Sequence, residues 1–364
     1  MHFAFAISEY FPFGGAQRDF IAVATAMAKR GHKISVVTTA WQGEKDSNWQ
    51  YFFLDHKAKT NHGRMKALSE YLIDIKEKQH FDAVIGFTRM TGLDIYFAAD
   101  NCFTATKYKG FNKLLTRYRT YANIEKSLFS APELKVFYLT EIQRQQYRDA
   151  FDIEQQSSVI LPVCVDDSFR YDEKAWRVAR EWRQSVLKNN DRIVLLFVAA
   201  DFNTKGLDRV IDAFETLDDN EQSRFSLWII GTGKQKPYRN KLEQRTHVDY
   251  HFFGGQSKLR QFYLAADYLV HPARKEAAGM VLAEAMAARL PLCVTDCCGY
   301  AFLAEDDSES IQLKKDNVLL ELSQFLRNVT MKTEIPLRGE GSERVLRVSR
   351  AEFCADQIET WVSK

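Results

Sequence analysis

Short apolar runs alternate with longer amphipathic stretches along almost the whole chain. The apolar runs are HFAFAI, KISVVTT, FDAVIGF, LDIYFAAD, LKVFYLT and SSVILPV in the first half, and RIVLLFVAADF, FSLWIIGTG, DYHFFGG, ADYLVHPA and PLCVTDCC in the second. Most are continuously hydrophobic, which is typical of strands buried on both faces of a parallel sheet. The stretches between them, such as RDFIAVATAMAKRG, have apolar residues at helical spacing. The pattern therefore predicts an α/β protein built from β-α-β units.

Two series of these units predict two Rossmann-like, doubly wound domains, because 364 residues exceed the usual size of one domain. We expect an N-terminal domain over residues 1–165 and a second domain over residues 166–348, with the charged stretch 166–191 as their connection. The segment 349–364 is expected to form a helix that packs back on the first domain. Ligands of open parallel sheets bind at the carboxyl ends of the strands, so we expect a ligand in a cleft between the two domains.

Composition excludes several classes of protein. Hydrophobic residues make up 46% of the chain, and the formal net charge is +2, so no overall field attracts nucleic acid. The six cysteines lack metal-ligand spacing and are expected as reduced thiols. The first residues lack the basic region of a signal peptide, and no apolar run approaches the roughly 20 residues that span a bilayer. We expect a cytoplasmic protein that at most lies on a membrane.

Two glycine-containing loops follow predicted strands. Gly14 and Gly15 follow the first strand, and Gly231 follows the strand FSLWII. Neither loop has the GxGxxG spacing of a dinucleotide fingerprint, which argues against a dehydrogenase. Each loop would let backbone amides approach a ligand closely, but a tight strand-to-helix turn would need the same glycines.

The stretch KEAAGMVLAEAMA carries two glutamates eight positions apart in an otherwise apolar run. We predict that a helix begins near Gly279 or Met280, which places Glu276 in the preceding loop and Glu284 in the second turn. The amides at Ala278 and the next two residues would then suit a phosphate group. Glu284 would accept hydrogen bonds from a ribose diol and Glu276 from a sugar. Acidic residues also stabilise a helix N-terminus without a ligand, so both interpretations stay open at this point.

A lysine follows the first strand of the second series, at the edge where ligands of parallel sheets bind. Lys205, followed by a glycine, is suited to neutralise a diphosphate at this edge. The alternative is a solvated surface lysine. No D-x-D motif occurs in the sequence, so we expect no metal ion on the diphosphate.

Together, these motifs resemble those of the family 4 GT-B glycosyltransferases. The E-x7-E pattern after an HP dipeptide resembles the nucleotide-sugar signature of that family, and the KG and GTG motifs fall where the family has them. In the first half, YFPFGGAQRDF, TNHGR and GLDIYFAAD resemble enzymes of the lipopolysaccharide glucosyltransferase I type. The resemblance covers nearly the whole chain and implies the GT-B fold.

The resemblance implies an enzyme that transfers a hexose, with retention of configuration, from a UDP-sugar such as UDP-glucose to heptose of the lipopolysaccharide inner core. The implied partners are the UDP-sugar, the lipopolysaccharide acceptor and the anionic surface on the cytoplasmic side of the inner membrane. No cofactor or metal is expected. Two alternatives stay open: a soluble UDP-sugar transferase or epimerase of the same fold acting on a free sugar, and a non-catalytic nucleotide-sugar or membrane-binding protein.

The resemblance also implies roles for individual residues. The nucleotide-sugar side comprises Gly14, Gly15, Arg170, Lys205, Gly231, Glu276, Ala278, Gly279, Met280 and Glu284, and the acceptor side Asp19 and Asp100. Lys205 would neutralise the departing phosphate and Glu276 would hold the sugar. Asp100 would orient the acceptor or, if configuration were inverted, act as general base. The family usually has a second basic residue before the lysine, where this chain has Thr204, which would make Arg170 more important.

Residues 105–129 combine basic and aromatic side chains. The basic residues are Lys107, Lys109, Lys113, Arg117, Arg119 and Lys126. They stand against one acid, Glu125, and tyrosines, phenylalanines and leucines lie between them. This composition suits an interfacial helix on anionic lipid, a core helix with a solvated basic face, or an RNA-binding surface. The resemblance implies a lipid-embedded acceptor, so we expect membrane contact and no nucleic acid partner.

Overall fold

The computed structural model describes residues 1–12, 14–105, 113–153, 156–187, 192–332 and 338–363. The chain divides into two compact units, Met1–Pro162 with Val348–Lys364 and Val163–Arg347. The stretch 166–191 was predicted as a connection, but most of it is a helix of the second unit, Glu173–Val186. This helix is held in place because Arg183 is buried and bonds Asp267. Among the described residues, none of the helices has the length and apolar character needed to span a bilayer.

The first unit is built on a seven-stranded parallel sheet. The strands of the first unit are β1 (His2–Ala6), β2 (Glu9–Tyr10), β3 (Lys33–Thr38), β4 (Ala40–Trp41), β5 (Gln50–Phe53), β6 (Ala83–Gly86), β7 (Ile95–Ala98), β8 (Lys135–Tyr138) and β9 (Ser158–Ile160). Its first four helices are α1 (Gly15–Lys29), α2 (Asn61–Lys78), α3 (Thr116–Phe129) and α4 (Glu141–Ala150). The sheet order is β5-β3-β1-β6-β7-β8-β9, and β2 pairs with β4. The order places β1 in the interior of the sheet, which explains its continuous apolar sequence.

The second unit has a six-stranded parallel sheet. Its strands are β10 (Ile193–Val198), β11 (Phe225–Ile230), β12 (Asp249–Gly254), β13 (Tyr268–His271), β14 (Leu292–Thr295) and β15 (Ile311–Leu313). Its helices are α5 (Glu173–Val186), α6 (Phe202–Lys205), α7 (Leu207–Phe214), α8 (Asp219–Ser223), α9 (Lys236–Arg245), α10 (Arg260–Ala265), α11 (Met280–Ala287) and α12 (Val318–Met331). The sheet order is β12-β11-β10-β13-β14-β15. The chain order reverses beside β10, and such a switch point leaves a crevice at the carboxyl ends of the strands.

A last helix, α13 (Arg350–Val362), belongs to the first unit and packs on α1. Arg30 of α1 forms ion pairs with Glu352, Asp356 and Glu359 of α13, each at 2.7–2.8 Å. On the apolar side, the ring of Trp361 lies 4.7 Å from the ring of Phe137 in β8. The chain therefore passes from the first unit to the second and back again.

Candidate active site

The loops that follow β10 and β13 meet at the carboxyl edge of the second sheet, because the two strands are neighbours. The backbone N–H of Arg274 donates to the carbonyl of Thr204 at 2.9 Å. A Cβ atom on Gly206, which has a φ of +83°, would lie only 2.2 Å from the carbonyl oxygen of Pro272. Only glycine fits this position, so Gly206 allows the loop that carries Lys205 to pack on the loop that carries Glu276.

These loops bring Lys205 and Glu276 together. Lys205 Nζ lies 2.6 Å from Glu276 Oε2 and 3.4 Å from the carbonyl oxygen of Lys275. Both side chains are largely buried, with about a fifth of each exposed. The ammonium group uses part of its donor capacity on Glu276 and has three N–H groups in total. It can therefore contact a second anion at the same edge.

The Glu276 carboxylate is held in its ionised form. His271, which is 1% exposed, has its Nε2 atom 3.4 Å from Glu276 Oε2. Neither ring nitrogen of His271 makes a hydrogen bond with a described residue, so the 3.4 Å contact has the distance of an ion pair without hydrogen-bond alignment. Burial acts to raise the pKa of Glu276, but His271 and Lys205 outweigh it and lower the pKa to about 2. At neutral pH, Glu276 is an acceptor for hydroxyl groups.

Helix α11 begins where the sequence predicts. Gly279 is its N-cap residue, with a φ of +94°, and Met280 is its first residue. Among the described residues, no side chain caps this end of the helix, and its first turn contains no acidic residue. Ala278 directly precedes the cap. A helix N-terminus beside an ammonium group is a suitable place for a phosphate.

Glu284 lies in the second turn of α11, and it is buried. Only 5% of its surface is exposed, and the hydroxyl of Tyr263 donates a hydrogen bond of 2.7 Å to its Oε2 atom. Tyr263 is itself fully buried, on α10. The tyrosine therefore satisfies one oxygen of a carboxylate that would otherwise be costly to bury. Sequence spacing gives no signal for this pair, which is 21 residues apart along the chain.

The predicted glycine positions occupy the starts of loops and helices. Gly231 follows β11, and a Cβ atom there would lie 1.7 Å from the carbonyl oxygen of Ala199, directly after β10. Gly231 thus allows close packing at the same sheet edge as Lys205. In the first unit, Gly14 is the N-cap residue of α1 and Gly15 is its first residue, and no side chain in the described part of the chain caps this helix.

Arg170 is not beside Lys205 in the described structure. Its guanidinium donates to Asp167 at 2.9 Å and to the carbonyl of Val345 at 3.0 Å. It lines a cavity of about 900 Å³ together with Ala287 and Arg289, which lie at the end of α11 opposite Gly279. Arg170 therefore does not replace the missing cation in this arrangement.

Thr204 occupies the position where the family has its second basic residue. Its hydroxyl donates to Asp201 Oδ2 at 2.8 Å, and Asp201 is the N-cap residue of α6. The residue stabilises the start of the short helix that carries Lys205. It provides no charge for a phosphate.

The two predicted acceptor residues have different surroundings. Asp100 comes two residues after β7, with 68% of its side chain exposed and its Oδ2 atom 3.4 Å from Arg89 Nη2. Asp19 lies on α1, and its Oδ2 atom is 3.5 Å from Arg350 Nη1 at the start of α13. Asp100 is open to a ligand, whereas Asp19 contributes to the contact between α1 and α13.

Helix α3 buries Ile124, Glu125, Leu128 and Phe129, and exposed basic side chains lie before it and along it. Lys113, Arg117 and Arg119 are exposed, while Lys107 and Lys109 lie outside the described residues. Phe129 is part of the core and Tyr121 packs against it, while Tyr108 and Phe111 lie outside the described residues. Glu125, the one acid of this stretch, is fully buried. The sequence composition could not show this because it carries no information about the partner of the carboxylate.

Comparisons with known proteins identify the family of this chain. Residues 178–318 match the family model described as glycosyl transferases group 1. The lipopolysaccharide glucosyltransferase WaaG of Escherichia coli (strain K12) is 34% identical over 347 residues, which cover 93% of this chain and 92% of WaaG. Its similarity extends well beyond the part that matches the family model.

Solved structures of glycosyltransferases are also similar to this chain. The crystal structure of WaaG, described as a glycosyltransferase involved in lipopolysaccharide biosynthesis, has a TM-score of 0.82 and 31% identity, and covers 97% of this chain and 95% of that one. Anabaena Alr3699/HepE, crystallised with UDP and glucose, has a TM-score of 0.65 at 14% identity, covering 100% of this chain and 95% of that one, which shows the shared fold. The chain therefore belongs to the group 1 glycosyltransferases and has the GT-B fold.

Proposed function

We propose that the protein is a retaining glycosyltransferase of lipopolysaccharide core biosynthesis, which moves a hexose from a UDP-sugar, in the first instance UDP-glucose, to an inner-core heptose. The observation that carries the proposal is the 2.6 Å contact between Lys205 and Glu276 beside the start of α11. It combines a cation for the leaving diphosphate with an acceptor for the sugar hydroxyls. The similarity to WaaG over 93% of the chain supports the choice of acceptor class.

Transfer builds negative charge on the β-phosphate as the glycosidic bond breaks. Fixed cations and amides that meet this charge lower the barrier because they need no reorganisation during the reaction. Lys205 and the N-terminus of α11 provide these groups. Glu276 fixes the hexose, and Glu284 accepts hydrogen bonds from the ribose. For retention, a donor phosphate oxygen takes the acceptor proton on the face from which UDP departs, and Asp100 orients the acceptor hydroxyl.

We propose that this chemistry needs no metal ion. The sequence contains no D-x-D motif, and no group of three or more His, Cys, Asp or Glu residues in the described ranges is arranged to hold one. The Lys205 ammonium supplies the charge that a metal ion would otherwise supply. Transfer rates in excess EDTA should equal those in added Mg²⁺ or Mn²⁺. Loss of activity in EDTA that is restored by one of these ions would refute this part of the proposal.

We also propose that the exposed face of α3 and the residues before it bind the cytoplasmic side of the inner membrane. Leu114 and Leu115 are 68% and 54% exposed, directly between the exposed Lys113 and the start of α3. Apolar and basic side chains at one place suit insertion among anionic headgroups, where each charge contributes about 1 kcal/mol. This surface would bring the enzyme to an acceptor that is anchored in the membrane.

Co-sedimentation with anionic vesicles tests the membrane surface. The variant with K113E, R117E and R119E should lose most of its binding, and its Kd for UDP should stay the same. A matched control reverses Lys174, Arg177 and Arg245, which are exposed basic residues of the second unit. Equal binding by both triple variants and the wild type would rule out this surface.

Release of UDP is the direct test of the reaction. We expect release from UDP-glucose that depends on a heptosylated lipopolysaccharide core acceptor, with formation of an α-linked product from the α-linked donor. Substitution of other UDP-hexoses measures donor choice. Release that occurs equally with a free sugar would favour a soluble transferase, and conversion of the UDP-sugar itself an epimerase. Binding of UDP-sugar without any turnover would favour a non-catalytic role.

A further inference from the structure

A buried network in the first unit contacts both the side chain and the main chain of Asp100. Arg89, from the loop after β6, places Nη2 3.4 Å from the Asp100 carboxylate and donates to the carbonyl of Asn101 at 3.1 Å. Its guanidinium is 8% exposed. On the backbone side, the buried amide of Gln143 in α4 donates to the Asp100 carbonyl at 2.8 Å. Both the side chain and the main chain of Asp100 therefore have fixed neighbours.

The centre of this network is Glu125 of α3. Its Oε1 atom accepts hydrogen bonds from Arg89 Nη1 and from the backbone N–H of Phe103, both at 2.8 Å. Its Oε2 atom accepts from the backbone N–H of Thr104 at 2.8 Å and from the Thr104 hydroxyl at 2.7 Å. One carboxylate thus joins α3, the loop after β6 and the loop after β7.

Stability alone does not explain such an arrangement. A buried ion pair can often be replaced by apolar side chains at little or no cost in stability, because removing both charges from water is expensive. A carboxylate with four good donors does, however, define one geometry for the groups around it. Those groups are the guanidinium that faces Asp100 and the loop that follows Asp100.

We propose that Glu125 and Arg89 are positioning residues for the acceptor reaction. Glu125 fixes the Arg89 guanidinium and the 102–104 loop, and Arg89 holds the Asp100 carboxylate in the orientation that receives the acceptor hydroxyl. This inference rests on the proposed function, because it takes Asp100 as the residue that orients the acceptor. The network also connects α3, which carries exposed basic side chains, to the carboxyl end of β7, which Asp100 follows.

A double-mutant cycle between Arg89 and Asp100 tests the proposal. R89K keeps the charge but loses the two-armed geometry, and should lower kcat/KM for the acceptor about 10- to 100-fold while the Kd for UDP changes less than twofold. In a D100N background, R89K should have almost no further effect, because its influence passes through Asp100. E125Q should behave like R89K. T104V, which removes only the hydroxyl donor, provides a milder variant that keeps the core shape.

The control is a second buried ion pair, between Asp267 and Arg183 in the second unit. D267N should lower Tm without changing the acceptor kcat/KM of the folded fraction by more than twofold. The inference is overturned if R89K, E125Q and T104V have the same acceptor kcat/KM as the wild type. It is also overturned if R89K and D100N act additively on this value, or if D267N gives the same acceptor defect. A wild-type protein that binds no UDP-sugar or transfers none would overturn the proposed function as well. An active wild type with unaffected variants overturns this inference alone.

Discussion

The hydroxyl of Tyr263 donates a 2.7 Å hydrogen bond to Glu284 inside the core of the second unit. Glu284 sits in the second turn of α11, and Tyr263 projects from α10. The contact orients the carboxylate that the proposed function assigns to the ribose diol. It also explains how a charged residue is tolerated in a helix that is otherwise made of small apolar residues.

Replacing Tyr263 by phenylalanine should weaken nucleotide binding. Y263F removes one hydrogen bond to a carboxylate, and a change of about 0.5–1.5 kcal/mol corresponds to a Kd for UDP roughly 2- to 12-fold higher. Calorimetry with UDP measures this directly. Y250F is the matched control, because Tyr250 also donates to a glutamate, Glu243, at 2.7 Å but on the surface. Equal Kd values for both variants would show that the buried contact is irrelevant to the nucleotide.

Loss of the Lys205 ammonium should affect the rate more than the binding. K205Q removes the cation that meets the departing phosphate, and the loss of one such group typically lowers kcat about 100- to 1000-fold. The measurement is UDP release at saturating donor. K241Q is a control, because Lys241 pairs with Asp212 on the surface of the same unit. A kcat for K205Q within threefold of the wild-type value would remove Lys205 from the mechanism.

Glu276 should make stability depend on pH in acid. Its pKa is lowered from 4.5 to about 2, so it contributes stability above pH 4.5 that is lost as the pH falls towards 2. The lowering corresponds to about 3 kcal/mol. In urea unfolding, the difference in free energy between wild type and E276Q should be largest above pH 5 and shrink between pH 4.5 and 2. A difference that stays constant over this range would contradict the assigned ionisation.

Restoring a basic residue at position 204 should strengthen the diphosphate site. T204R adds a guanidinium next to Lys205, although it removes the hydroxyl that bonds Asp201. One charge-assisted hydrogen bond to phosphate should lower the Kd for UDP about tenfold. S223R adds the same charge at an exposed position of α8, before β11 begins, and should leave the Kd unchanged. An unchanged or higher Kd for T204R would indicate that the site is complete without a second cation.

Much of the fold could be predicted because each buried strand is a continuous apolar run. The eleven runs in the sequence correspond to β1, β3, β6 to β9 and β10 to β14. The strands that the pattern missed are short: β2 and β4 have two residues each, β5 has four and β15 has three. The sequence QYFF of β5 gives four residues at the edge of the sheet, too few to define a period.

The candidate site could be predicted in part. The positions of Lys205, Glu276 and the start of α11 followed from strand ends and one helix boundary, which are local features. The partners of these residues could not be predicted, because His271, Tyr263 and Arg89 reach their carboxylates through tertiary packing that leaves no spacing signal. For the same reason, the burial of Glu125 could not be predicted.

Helix α13 has a consequence for the order in which the protein is made. The ribosome synthesises α13 after the entire second unit, yet the helix packs on α1, near the beginning of the chain. During translation, Arg30, which directly follows α1, meets the acidic residues of α13 only after the second unit, about half of the polypeptide, has been synthesised. The first unit is therefore completed last, and a ribosome that stalls late would leave the first unit, rather than the second, exposed to proteases.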